Sequence, residues 1–466
     1  MIRKLKEELV NPEDLFKQRI DLAHQYQSDY NCFVTICDNY KFKGKKETLL
    51  TNIPYSLEDN YSTSGILTTA SSNILKDYIP VYDATVYKKL KDSGATLVGK
   101  TTLDELGLGD TGTNSHTGLV KNPVTKERIV GGAASGSAVS VALGIVPFSI
   151  ATDTNGSVRR PASYTGIVGF KPTYGRISRY GILPVASSLD HVGIFTTSVE
   201  DAAIVTDILK GPDKYDMTTL KDNNKNYFDI INNDIKGRKL CCIKEICNID
   251  SYDNPNEELV SILKHFNEVK NKCEELGFEI EEVSLDNDLL EAIYPSYLTI
   301  SCAEATSNNA NLTGISFGNR KAGETAQDIM CLTRTEGFSE LVKKRFILGS
   351  YVLQKDNQER LFLNAGRVRR IIVEKINDLF KTYDALLMPT IGIPPKINEL
   401  KRNNTIIESQ LIIANFGGYP SITIPAGLID NMPVGINITG RILEDDVVLN
   451  IAYKIEQESR VGEINV

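Results

Sequence analysis

Apolar and polar positions fall into two periods along this chain, and the elements they predict alternate. Asn11-Pro12-Glu13 offers a helix N-cap followed by proline at the first helical position. Leu15, Ile20 and Ala23 then recur at roughly helical spacing, so an amphipathic, surface-packed helix is predicted there. A second helix is predicted where Leu259, Leu263, Phe266, Cys273 and Leu276 share one face. Gly277 supplies its C-cap, and Phe278, Ile280 and Val283 then alternate as a strand. Residues 385–389 (ALLMP) and 422–425 (ITIP) read as buried strands. Residues 138–150 form the longest apolar stretch, broken by Gly144 and Pro147. It is well short of the ~20 residues that cross a bilayer and predicts buried core.

Such alternation favours a layered α/β core. The polar, Asn/Asp-rich segment around 221–239 (KDNNKNYFDIINNDIKGRK) reads as a surface insertion, so residues 1–466 are taken as a single domain.

Composition narrows the function classes. Apolar residues make up 41% of the chain and charged residues 24%, which is ordinary globular usage. The net charge is −8 and no dense Lys/Arg stripe is visible, so a grip on nucleic-acid backbones is expected of a partner and not of this chain. The eight cysteines are scattered without a CxxC pair, and there are four histidines, which argues against a structural zinc site. The N-terminal residues carry no apolar signal region, so a cytoplasmic, non-membrane protein is expected.

The chemistry concentrates in residues 129–173, IVGGAASGSAVSVALGIVPFSIATDTNGSVRRPASYTGIVGFKPT. Small residues from Gly131 to Gly136 allow close backbone approach, and the apolar run that follows makes a tight entry into a buried helix. Plain packing explains this as well as function does, and the Walker spacing of a phosphate loop is absent. A second loop, Thr152 to Ser157, places a hydroxyl after several successive N–H groups, an arrangement able to stabilise an oxyanion.

GGAASGSA followed by TDTNGSVRRPASYTGIVGFKPTYGRISRYG resembles the amidase signature, usually GGSSGGSA followed by TDTGGSIRxPAxxxGxxGxKPTxGRxSRxG. IPYSLEDN at 53–60 is similar to the family's VPxxxKDN, and the stretch at 83–109 extends the match. SSLDHVGIFTTSVEDAAIVTDILKGPD and KKRFILGSYVL look most like the A subunits of tRNA-dependent amidotransferases. The resemblance implies an amidase-signature fold: a mixed central β-sheet with helices on both faces.

It also implies a Ser-Ser-Lys mechanism, in which a neutral lysine takes a proton through a bridging serine and a second serine attacks the amide carbonyl. Carried over, the nucleophile is Ser157, and the oxyanion hole is formed by the N–H groups of Thr154, Asn155, Gly156 and Ser157 itself. Asn155 replaces a usual glycine, and asparagine tolerates a left-handed backbone if that position needs one. The lysine position is Glu58 and the bridging-serine position is Ala133, with Ala134 replacing the neighbouring serine. Ser135 and Ser137 carry hydroxyls nearby, but each is displaced along the loop, and a serine in a Gly-rich turn is more often a turn former. Arg345 and Tyr297 fall where the related subunits hold the substrate's α-carboxylate, and Glu408 lies near their acidic position for the α-amino group.

The implied role is a glutamine-hydrolysing subunit supplying ammonia for conversion of Glu-tRNA(Gln) to Gln-tRNA(Gln), with hydrolysis severely impaired. Its partners would be a B subunit carrying the mischarged tRNA, ATP and Mg²⁺ and a small C subunit, with no cofactor in this chain. A non-catalytic scaffold and a stand-alone amidase are the alternatives.

Overall fold

The structure is a computed structural model that describes residues 1–8, 11–39, 44–221, 224–400 and 406–459. Asn11 caps the helix Pro12–Tyr30, its side-chain oxygen accepting from the N–H groups of Glu13 (2.9 Å) and Asp14 (3.4 Å). The helix buries Leu15, Phe16, Ile20 and Ala23. The helix Glu257–Glu275 starts at the Asn256 cap and buries Leu263, Phe266 and Cys273, and Gly277 at φ +95° turns the chain into the following strand. Both were legible because their apolar spacing and caps agree.

Eleven strands among the described residues form one sheet. They are β1 (Phe33–Ile36), β2 (Pro54–Glu58), β3 (Thr96–Thr101), β4 (Phe148–Asp153), β5 (Val168–Lys171) and β6 (His191–Thr196). They continue as β7 (Lys239–Ile243), β8 (Glu279–Val283), β9 (Ala385–Pro389), β10 (Ser421–Ile429) and β11 (Met432–Gly440). The spatial order is β1-β3-β2-β4-β6-β5-β10-β11-β9-β7-β8. Pairing is parallel where β2 meets β3 and β4 and where β7 meets β8 and β9, and antiparallel elsewhere.

Successive strand residues feed opposite cores, as the pleat requires. Leu97, Ile150 and Ile194 join one apolar cluster with the helices Val199–Leu209 and Asp445–Ser459, while Val98, Ala151 and Phe195 join another with Pro12–Tyr30 and Ser135–Ala142. The sheet is therefore mixed and covered by helices on both faces, as the resemblance implied.

Residues 224–239 of the polar segment are pinned to the core. Tyr227, Ile231 and Ile235 are buried, and the N–H groups of Tyr227 and Phe228 donate to the Asp207 carboxylate, each at 2.9 Å. No helix among the described residues is long and apolar enough to cross a membrane.

Since β2 and β4 are parallel neighbours, the loops after Glu58 and Asp153 leave the same edge of the sheet. Ligands of α/β sheets gather at such carboxyl ends.

Candidate active site

The loop bearing Ser157 is shaped by Asp153, the last residue of β4. Its carboxylate accepts from the N–H groups of Gly156 (2.9 Å) and Val158 (3.1 Å), from Arg159 Nε and Nη2 (3.0 and 2.9 Å) and from Asn415 Nδ2 (3.0 Å). The Asp153 and Arg159 side chains are both fully buried. Arg159 directs its other donors to Leu411 O, Ser421 Oγ and Asn415 Oδ1. A buried ion pair survives only with its remaining donors and acceptors satisfied, and this one meets that condition. Burial alone would raise the Asp153 carboxyl's pKa, but Arg159 and the other donors hold it well below the usual carboxylate range.

Gly156 adopts φ +104°, and a Cβ there would come within 2.8 Å of Leu411 Cδ1, so the loop needs glycine at this point. Asn155 is not among the left-handed residues, so the backbone freedom considered for position 155 is required one residue later. The Gly156 N–H is engaged by Asp153, whereas no hydrogen bond among the described residues occupies the N–H groups of Thr154, Asn155 or Ser157. The Thr154 hydroxyl donates to Asp190 Oδ1 at 2.7 Å.

Ser157 is buried, and its Oγ donates to Asn155 Oδ1 at 3.2 Å. Glu58, at the end of β2, is fully buried and turned to β4: its Oε2 accepts from Thr152 N (2.7 Å) and Thr152 Oγ1 (2.6 Å). Asn60 Nδ2 donates to the same Thr152 hydroxyl at 3.0 Å. No hydrogen bond among the described residues reaches Glu58 Oε1 or Asn60 Oδ1, although the Asn60 side chain lies close enough to pull the Glu58 pKa down. Burial pushes the Glu58 carboxyl up to about 8 against the opposing pull of the Thr152 bonds, so at neutral pH it holds its proton. A protonated carboxyl cannot act as a general base, and no hydrogen bond joins Glu58 to Ser157.

The Gly132–Ala133 peptide is cis, and Ala133 presents a buried methyl group where a bridging hydroxyl is implied. Neither displaced serine is bonded to Ser157. Ser137 Oγ pairs with Thr101 Oγ1 at 2.6 Å, and Ser135 Oγ is buried beside Gly112 with no hydrogen bond among the described residues.

Arg345, on the helix Glu340–Leu353, meets the helix Ile293–Asn308, where its Nη1 lies 3.9 Å from Cys302 Sγ and its charge acts on the buried Tyr297 phenol. The charge of Asp110 acts on both Tyr297 and Tyr164, and the backbone oxygen of Asp110 accepts from Arg160 Nη1 at 3.4 Å. Glu408 lies on the short helix Ile406–Ser409 and lines a cleft with Tyr164, Arg128, Asn256 and Glu258. Asn415 and Asp190 escaped the sequence reading, because no local pattern links them to a loop whose chain neighbours lie far away.

The protein-family model for amidases matches residues 17–449. The A subunit of the glutamyl-tRNA(Gln) amidotransferase of Fusobacterium nucleatum is 38% identical over 435 residues, covering 92% of this chain and 87% of that protein. The corresponding A subunit of Halothermothrix orenii is 36% identical over 464 residues, covering 97% and 95%. The crystal structure of the Thermotoga maritima A subunit has a TM-score of 0.81 at 34% identity, covering 97% of this chain and 93% of that one. With its signature loops in place at the carboxyl edge of the sheet and the match running through nearly its whole length, this chain belongs to the amidase family.

Proposed function

We propose that this chain is the A-type subunit of a tRNA-dependent amidotransferase in which glutamine hydrolysis is severely impaired. The observation that carries the reading is the proton path from Ser157. Its hydroxyl is directed to a side-chain amide oxygen, Glu58 is uncharged and bonded elsewhere, and Ala133 has no hydroxyl to bridge them. Loss of members of such a catalytic unit lowers rates by ~10⁴ to 10⁶, leaving only what the oxyanion hole and binding supply.

In this reading Ser157 is the surviving nucleophile, Thr154, Asn155, Gly156 and Ser157 supply the oxyanion loop, and Arg345 with Tyr297 holds glutamine. The chain itself uses no cofactor. A B subunit binds mischarged tRNA, ATP and Mg²⁺, a C subunit completes a heterotrimer, and the complex is cytoplasmic. The same broken relay favours a second reading, a scaffold that keeps the partner surface and leaves ammonia supply to another source.

The test compares ammonia release from glutamine by the native chain and by E58K/A133S, each with its partner subunits. Release by the variant alone supports the reading. Equal release by both shows that another base serves Ser157. Amidation of Glu-tRNA(Gln) by the native complex with ammonium but not with glutamine selects the scaffold.

A further inference from the structure

We infer that Asn155 is a third block on Ser157: its carboxamide holds the nucleophile's hydroxyl in an unreactive direction and fills the space beside Oγ that a substrate amide must enter. This rests on the reading of Ser157 as the surviving nucleophile.

Three observations carry it. The Ser157 hydroxyl is committed to Asn155 Oδ1 at 3.2 Å, and an amide oxygen accepts a hydrogen bond but does not take up a proton at ordinary pH. A carbonyl under attack must approach a nucleophile to about 3–3.5 Å, the shell that this oxygen already occupies. Both residues are almost completely buried, so the contact sits in the site and not on an open surface.

The side chain is also dispensable to the frame. The bonds that shape the loop belong to Asp153, Arg159 and Asn415, the left-handed turn belongs to Gly156, and Thr154 is fixed by Asp190. None uses the Asn155 carboxamide. Because Asn155 is not left-handed, alanine fits the position as readily as glycine. The substitutions E58K and A133S therefore repair the proton relay while leaving a carboxamide across the nucleophile.

The experiment uses the full chain in the E58K/A133S background and compares Asn155 with Asn155→Ala and Asn155→Gly. The probe is phenylmethylsulfonyl fluoride, and the readout is the rate of sulfonylation at Ser157, located by peptide mass spectrometry. Ammonia release from glutamine is measured alongside. Both Asn155 variants are expected to be labelled at least about tenfold faster than E58K/A133S, the scale of one displaced hydrogen bond plus the freed space. Equal, finite labelling rates in all three overturn the inference and leave the triad reading intact. Absence of labelling in all three, with unchanged melting temperatures, overturns the triad reading and this inference with it. Failure of both Asn155 variants to fold shows that the carboxamide supports the loop, which also overturns the inference.

Discussion

Replacing Glu58 by glutamine tests the burial argument directly. In the folded chain the Glu58 carboxyl is pushed up to about 8, against an ordinary value of 4.5. Between those two pH values the folded form holds a proton that the unfolded form has released. The folded form therefore loses stability as pH rises through that window, by about 1.4 kcal/mol per pH unit, and the loss levels off above about pH 8. From pH 5 to pH 8 the accumulated loss is about 4 kcal/mol. Glutamine has nearly the same shape. Its oxygen can accept both Thr152 bonds, its NH₂ takes the place of Oε1, and it does not titrate. With an unfolding entropy of about 1 kcal/mol/K for a chain of this size, the melting temperature of Glu58→Gln minus that of the native chain should grow by about 4 °C between pH 5 and pH 8. Thermal scans at a fixed rate on both proteins at each pH measure this difference, and groups that titrate in both, such as Asp190, cancel from it. A difference that stays flat with pH refutes the reasoning, since it means that Glu58 ionises as an exposed carboxylate does.

Arg159→Ala leaves the Asp153 carboxylate buried without its guanidinium and should destabilise the chain by roughly 3–5 kcal/mol, read as a shift of the urea midpoint. A midpoint within error of the native one would remove the Asp153–Arg159 pair as the support of the loop. In the E58K/A133S background, Arg345→Lys should raise KM for glutamine by ~10-fold or more with little change in kcat, because an ammonium cannot present the paired donors of a guanidinium to a carboxylate. An unchanged KM would take Arg345 out of substrate binding.

The fold was legible where a short-range signal repeated. The Asn11 cap with Leu15, Ile20 and Ala23, and the helix-to-strand unit closed by Gly277, are set by neighbours within a few residues. Strand order was not legible, since β5 lies between β6 and β10 and that pairing is decided by packing across the whole sheet. The candidate site residues were named from spaced motifs, but their conformation was not legible there. That Glu58 turns to Thr152, that Ser157 turns to Asn155 and that the left-handed residue is Gly156 all depend on three-dimensional neighbours. Asn415, 262 positions from Asp153, carries no sequence mark of its contact.

The Asp153 cluster has an evolutionary corollary. Its bonds run to positions 156, 158, 159 and 415, and none reaches 58 or 133, the positions where the resemblance implies the lysine and the bridging serine. Chemistry and architecture are thus inherited through separate sets of contacts. Changes at positions 58 and 133 therefore leave the bonds that shape the Ser157 loop in place, so the shape of that loop is no gauge of whether the chain cleaves amides.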